Sequence, residues 1–190
     1  NPQHYAAATI ALDGVDYFPI EEPAAELARY RAGELQVTET IPAGRFAWLQ
    51  ENLADDLRVH PYLGSFWLGL NLRHPVLGRS RELRQALSLA INRDILVRTV
   101  LGAGDLPGWS VVPPGMSGYR PSAMAQSVLQ QEQREEEARR LFRASGAGQR
   151  EPLRLELRYN TSGVHRRIAV AVAAMWKQVL GVNTELVNEE

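Results

Sequence analysis

Two stretches of different period meet at a short polar knot, and that junction limits the folds open to this chain. "PLRLELRYN" alternates strictly, with Leu153, Leu155, Leu157 and Tyr159 on one face, as a half-buried strand requires. After Asn-Thr-Ser the period turns helical in "HRRIAVAVAAMWKQVLG", which stops at Gly181, and "VNTELVN" is again extended. The same mixture recurs upstream. Residues 9–20 read as a broken strand, "EEPAAELARYRAG" as a helix with Pro23 at its start and Gly33 at its end, and "ELQVTETI" as alternation, together a β-α-β unit. The expected fold class is therefore α/β.

The rest of the chain fits that class. A short helix is expected in "GRFAWLQENLA", extended chain in "LRVHP", and an aromatic strand in "GSFWLGLN". In "SRELRQALSLAIN", Leu83, Ala86, Leu87, Ala90 and Ile91 fall at helical spacing behind a Ser80 N-cap. "RDILVRTVLGAG" reads as a second helix ended by Gly102 and Gly104. Residues 105–121 hold too many prolines and glycines for a regular element, yet Trp109, Val111, Val112 and Tyr119 mark an ordered excursion, because a solvated linker rarely carries such apolar surface. "QQEQREEEARRLFRASGAG" is a helix with Ala138, Leu141 and Phe142 inside and a solvated charged face. Both ends of the chain look cut, since it begins inside one element and stops directly after another.

With 45% hydrophobic residues the chain can bury a core, and its 21 basic and 22 acidic residues leave no global field for nucleic acid or an anionic membrane. Absence of cysteine removes disulfides and thiolate chemistry. The longest apolar run, residues 168–176, is far short of a membrane span. His4, His60, His74 and His165 lack metal-ligand spacing, and "GWSVV" around Ser110 lacks the second glycine of a nucleophile elbow. "GAGDLPG" reads as a helix C-cap rather than a phosphate cradle. Asn160-Thr161-Ser162 also matches a glycosylation acceptor, which matters only in a eukaryotic secreted protein.

Two segments invite a ligand. If Thr161 or Ser162 caps the helix, His165 lies in its first turn, where unpaired N–H groups and the positive dipole end can hold a carboxylate. The other reading leaves Asn-Thr-Ser as a plain cap and His165 solvated. In "YLGSFWLGLN", Gly64 and Gly69 allow close approach to the backbone, while Tyr62, Phe66 and Trp67 either line a pocket or fill the core; core filling is the expectation.

Read in order, "NPQHY", "LDGVDYFPI", "YRAGELQVT", "YLGSFWLGLN", "RELRQALSLAINRDILV", "GAGDLPGWSVVPPGMSGY", "EEEARRLFRASG" and "LRYNTSGVHRRIAVAVAAMWKQVLGVNTELVNEE" resemble the solute-binding proteins of oligopeptide ABC transporters, the dipeptide, oligopeptide and nickel class. Gln36 and Asn92 stand where that family usually has Asp, Gly108 where it has Ala, and Leu101 where close relatives place a lysine. The resemblance implies a partial two-lobed, periplasmic-binding-protein type II-like fold. Residues 1–61 would belong to the first lobe, and residues 62–190 would be the N-terminal part of the second, peptide-binding lobe. It implies ligand contacts at His165, Gly64, Ser65, Phe66, Asn160 and Trp109, with no cofactor, no metal and no catalysis. Expected partners are a peptide and, through the full-length protein, an inner-membrane permease and ATPase complex. The implied location is the periplasm of a Gram-negative cell, with a signal peptide upstream of Asn1. In the family an aspartate for the peptide amino group follows the point where this sequence stops, and self-association of the piece is expected from its open edges. The same fold as the sensor of a transcription regulator is the alternative.

Overall fold

The computed structural model describes residues 3–42, 44–60, 62–120 and 122–189. Pro61 and Pro121, at the ends of two expected segments, lie outside the described residues, as do Asn1, Pro2 and Glu190. The chain forms two compact units, Asn1–Pro42 and Ala43–Glu190.

In the first unit a 3-10 turn at Ala7–Thr9 is followed by extended chain and then by helix α1, Pro23–Arg31. Pro23 starts that helix because its missing N–H costs nothing in a first turn, and Gly33 (φ +76°) carries the left-handed residue that ends it. The Glu26 carboxylate accepts from the Glu39 backbone N–H (2.8 Å) and the Thr40 hydroxyl (2.7 Å), which folds the following loop back onto α1. The Arg29 guanidinium lies over the Phe18 ring at 4.8 Å and meets Glu34 at 2.8 Å. The expected strands at residues 9–20 and in "ELQVTETI" are not formed among the described residues; both segments are extended or looped, without a ladder. Local pattern sets an extended preference, but a strand exists only where a partner takes its backbone N–H and C=O groups.

The second unit begins with helix α2, Phe46–Asn52, and then runs extended through residues 62–70. Here too the aromatic strand has no described partner. Tyr62, Phe66 and Trp67 are 87%, 60% and 73% exposed, so the core-filling expectation fails. A turn leads to helix α3, Arg81–Leu89. At that turn a Cβ on Gly78 would collide with the Leu72 carbonyl and lie 3.1 Å from that of His74, and Arg84 ties the turn down by donating to the Leu77 (2.6 Å), Gly78 and Ser80 carbonyls. Ser80 Oγ accepts from the Leu83 N–H at 3.0 Å, as the N-cap pattern predicts. Glu82's own backbone N–H, then the Ser80 hydroxyl, hold the Glu82 carboxyl below the usual carboxylate range.

Helix α4, Arg93–Ile95, starts on an Asn92 cap whose Oδ1 accepts from the Ile95 N–H (3.0 Å), so asparagine does here what an aspartate would. It continues as a π-helical stretch, Leu96–Leu101, closed by the Gly102 N–H to the Val97 carbonyl (2.9 Å). Gly102 is the C-cap that the sequence led one to expect. Residues 105–120 then form an ordered excursion pinned at Trp109. Arg93 donates to the Gly108 carbonyl (2.9 Å), the Met124 N–H donates to the Trp109 carbonyl (2.9 Å), and the guanidinium carbons of Arg93 and Arg134 lie 4.2 and 4.8 Å from the Trp109 ring centroid.

Helix α5, Gln131–Ala144, opens with a Gln130/Gln133 capping box. Its outer face carries Arg139–Glu135 and Arg140–Glu137 pairs, yet Arg134, within the run expected to be solvated, is only 5% exposed. Its charge is met by the Leu129 carbonyl, Gln131 Oε1 (3.1 Å), Asp94 (3.8 Å) and the Trp109 face, which no charge run reveals in advance.

Strand β1, Arg154–Asn160, helix α6, Gly163–Leu180, and strand β2, Asn183–Glu189, close the unit. The strands pair in parallel, Leu155 opposite Thr184 and Leu157 opposite Leu186. Leu155 joins Ile168, Val172 and Trp176 of α6, Leu83, Ala86 and Leu87 of α3, and Ala138 and Leu141 of α5 in one buried cluster. Inside it the Trp176 indole N–H donates to the Leu87 carbonyl at 2.8 Å, satisfying a group in the last turn of α3 that has no intrahelical partner.

These contacts set the expected mutant ranking in urea melts. Leu83→Ala should cost about 2–5 kcal/mol through the cavity it leaves. Trp176→Phe should cost at least about 1–3 kcal/mol by orphaning the Leu87 carbonyl, and Ser80→Ala about 1 kcal/mol. Trp109→Leu should leave the Leu83 cluster intact while speeding hydrogen exchange at the Met124 amide, because the loop loses its anchor; unchanged exchange there would show that Trp109 does not hold the excursion.

Candidate functional site

Parallel strands cannot be joined by a tight turn, so the chain must recross the sheet through α6. That crossover returns the first turn of α6 to the carboxyl ends of both strands, the edge at which open α/β sheets bind ligands. The residues gathered there are polar. The Ser162 N–H donates to the Asn160 carbonyl (2.7 Å), and Ser162 Oγ accepts from the His165 N–H (3.4 Å), so Ser162 is the cap. Asn188, near the end of β2, donates to Thr161 Oγ1 (3.1 Å) and stitches the two strand ends together. The N–H groups of the first turn precede any intrahelical acceptor and carry the positive end of an 18-residue helix.

His165 is half-buried in this turn. Its Nδ1 meets Asn160 Oδ1, and its ring lies against Phe66, centroids 5.2 Å apart with planes tilted by 34°. Three residues expected to contact ligand, His165, Asn160 and Phe66, thus come together from a helix, a strand end and the extended aromatic segment. Gly64 and Ser65 precede Phe66 in that segment. Gly64 is approached by the Tyr62 ring, which a Cβ there would strike. Trp109 belongs elsewhere, with Arg93 and Arg134. Near it, an open depression of about 270 Å³ is lined by Asp94, Arg98, Thr99, Gln131, Glu132 and Arg134. Its ions face one another, Asp94 meeting Arg98 at 3.6 Å and Arg134 at 3.8 Å, which leaves little charge to offer a ligand.

Sequence reasoning did not foresee the two arginines on Trp109 or the Thr161–Asn188 clasp. Both join residues distant in sequence. Burial, then the like charge of Arg134, pushes Arg93 down to about 10.

Among the described residues the His165 ring is engaged by the Asn160 amide and the Phe66 ring. His4 and His74 accept backbone N–H groups at Nδ1 within their own turns. Among the described residues no group of three acidic, histidine or cysteine side chains has metal-binding geometry. No described helix is long and apolar enough to cross a membrane.

Known proteins share both sequence and backbone with this chain. The periplasmic oligopeptide-binding protein OppA of Salmonella typhimurium is 37% identical over the whole chain, which spans about a third (35%) of that protein's length. The Escherichia coli murein tripeptide binding protein MppA superposes with a TM-score of 0.90 at 33% identity, covering all of this chain and 37% of that one. The Haemophilus influenzae OppA complex with RPPGFSPFR gives a TM-score of 0.79 at 32% identity over 90% of this chain and 34% of that one. The fold is thus a part of the type II-like periplasmic-binding-protein architecture of these relatives. The family model described as "Bacterial extracellular solute-binding proteins, family 5 Middle" matches residues 1–190, and the chain belongs to that family.

Proposed function

We propose that this chain is part of the extracytoplasmic binding component of an ABC transporter that captures oligopeptides for import. The match of the whole chain to a solute-binding family carries the reading. The site chemistry is consistent with it: a helix N-terminus and an imidazole at the carboxyl ends of two strands can hold a ligand carboxylate. Phe66 and the unpaired backbone beside Gly64 and Ser65 give an extended ligand a surface to lie along. Asn160 and Trp109 complete the proposed contact set, Trp109 through the loop it anchors. The protein binds and delivers rather than transforms its ligand, acts in the periplasm, and hands its cargo to a membrane permease and ATPase.

Residues 1–61 are assigned to the first lobe and residues 62–190 to the second. The described members of the main apolar cluster begin at Leu68, while the compact units divide earlier, between Pro42 and Ala43, so α2 falls within the second unit.

Calorimetry of the full-length protein with a tri- to pentapeptide library should give micromolar or tighter binding. Amidation of the peptide carboxyl terminus or His165→Ala should each cost about tenfold, the loss of one charge-assisted hydrogen bond. No binding to any peptide would overturn the proposal, and so would a helix-turn-helix domain encoded upstream. The 190-residue chain alone should bind such peptides more weakly than micromolar. With Tyr62, Phe66 and Trp67 exposed on an unpaired segment, it should also gain mass with concentration in light scattering.

A further inference from the structure

His165 is held from two sides. Its backbone N–H is fixed by Ser162 Oγ, and its ring by Asn160 Oδ1 at Nδ1 and by the Phe66 face. Asn160 itself is the last residue of β1, set opposite Glu189 in the ladder. An amide oxygen carries lone pairs and no proton, so it can bond to Nδ1 only if the ring hydrogen is there. A neutral imidazole has one such hydrogen, which makes Nε2 an acceptor.

We propose that Asn160 is a positioning residue that fixes the His165 hydrogen on Nδ1 and leaves Nε2 as the nitrogen free for ligand. On the proposed function, on which this consequence rests, the neutral ring then takes a ligand N–H. Only the protonated ring donates to a carboxylate. Capture of a peptide carboxyl terminus through Nε2 therefore requires a second ring proton, whereas a ligand N–H does not. The charged neighbours are few. Arg166 and Arg167 follow on the same helix, and Glu156, Arg158 and Glu189 on the strands are engaged with one another. The aromatic segment has no acid or base between Leu63 and Leu72.

Long-range proton–nitrogen correlation spectra of the nitrogen-labelled full chain at about pH 8, where imidazole is neutral, decide the matter without any ligand. Loss of one signal in His165→Gln identifies the ring. The wild type should show the Nδ1–H tautomer, Asn160→Ala should revert to the Nε2–H form that free imidazole prefers, and Asn160→Asp, which keeps an acceptor, should restore Nδ1–H. A wild-type Nε2–H pattern, meaning that the amide NH2 donates instead, overturns the proposal, as does a tautomer indifferent to Asn160→Ala. Backbone amide dispersion checks that each variant is folded, and the wild-type tautomer stands as a test even if one is not. Peptide binding is read separately. An Nδ1–H tautomer with no preference for free over amidated peptides would remove the ligand reading while leaving the role of Asn160 intact.

Discussion

Parallel pairing of β1 and β2 is the constraint on which the rest depends. Two strands running the same way need a crossover, and α6 supplies it, burying Ile168, Val172 and Trp176 against the sheet and the helices beyond. The same crossover puts a helix N-terminus, a cap serine and a histidine at the carboxyl ends of both strands. Core and candidate site are thus two ends of one element, and the burial that holds α6 also holds His165 in place.

A second layer of constraint ties distant parts together through polar groups. The Trp176 indole N–H reaches the Leu87 carbonyl across the core, and Trp109 carries two guanidinium groups on its ring. Burying arginine costs free energy unless its donors are met. Arg93 spends its donors on the Ser88 and Gly108 carbonyls and on Ser88 Oγ. Because Arg93 is pushed below its ordinary value in the fold, it opposes folding at neutral pH. That opposition fades only as pH climbs beyond about 10. The gain is positional: a proline-rich loop without regular structure is fixed onto α4 and α5.

Phe66, one of the exposed aromatics, meets the rim around His165. On the proposed function, Phe66 and Trp67 serve as recognition groups that must stay accessible to ligand. Family membership makes this intelligible, since the chain spans about a third of relatives such as Salmonella OppA.

The sequence by itself determined the main helices, the cap at Ser80, a cap at Thr161 or Ser162, the stop at Gly181, the alternating face of β1 and the position of His165 in a first turn. These depend on neighbours within a few residues, whose periodicity and hydrogen bonding are written locally. Only the tertiary structure decided that residues 9–20 and the aromatic segment go unpaired among the described residues, that Arg134 is buried within a charge run, and that Phe66 and Asn160 meet the imidazole. Each depends on which distant groups come to share a ladder, a ring face or a hydrogen bond, and no local period encodes that choice.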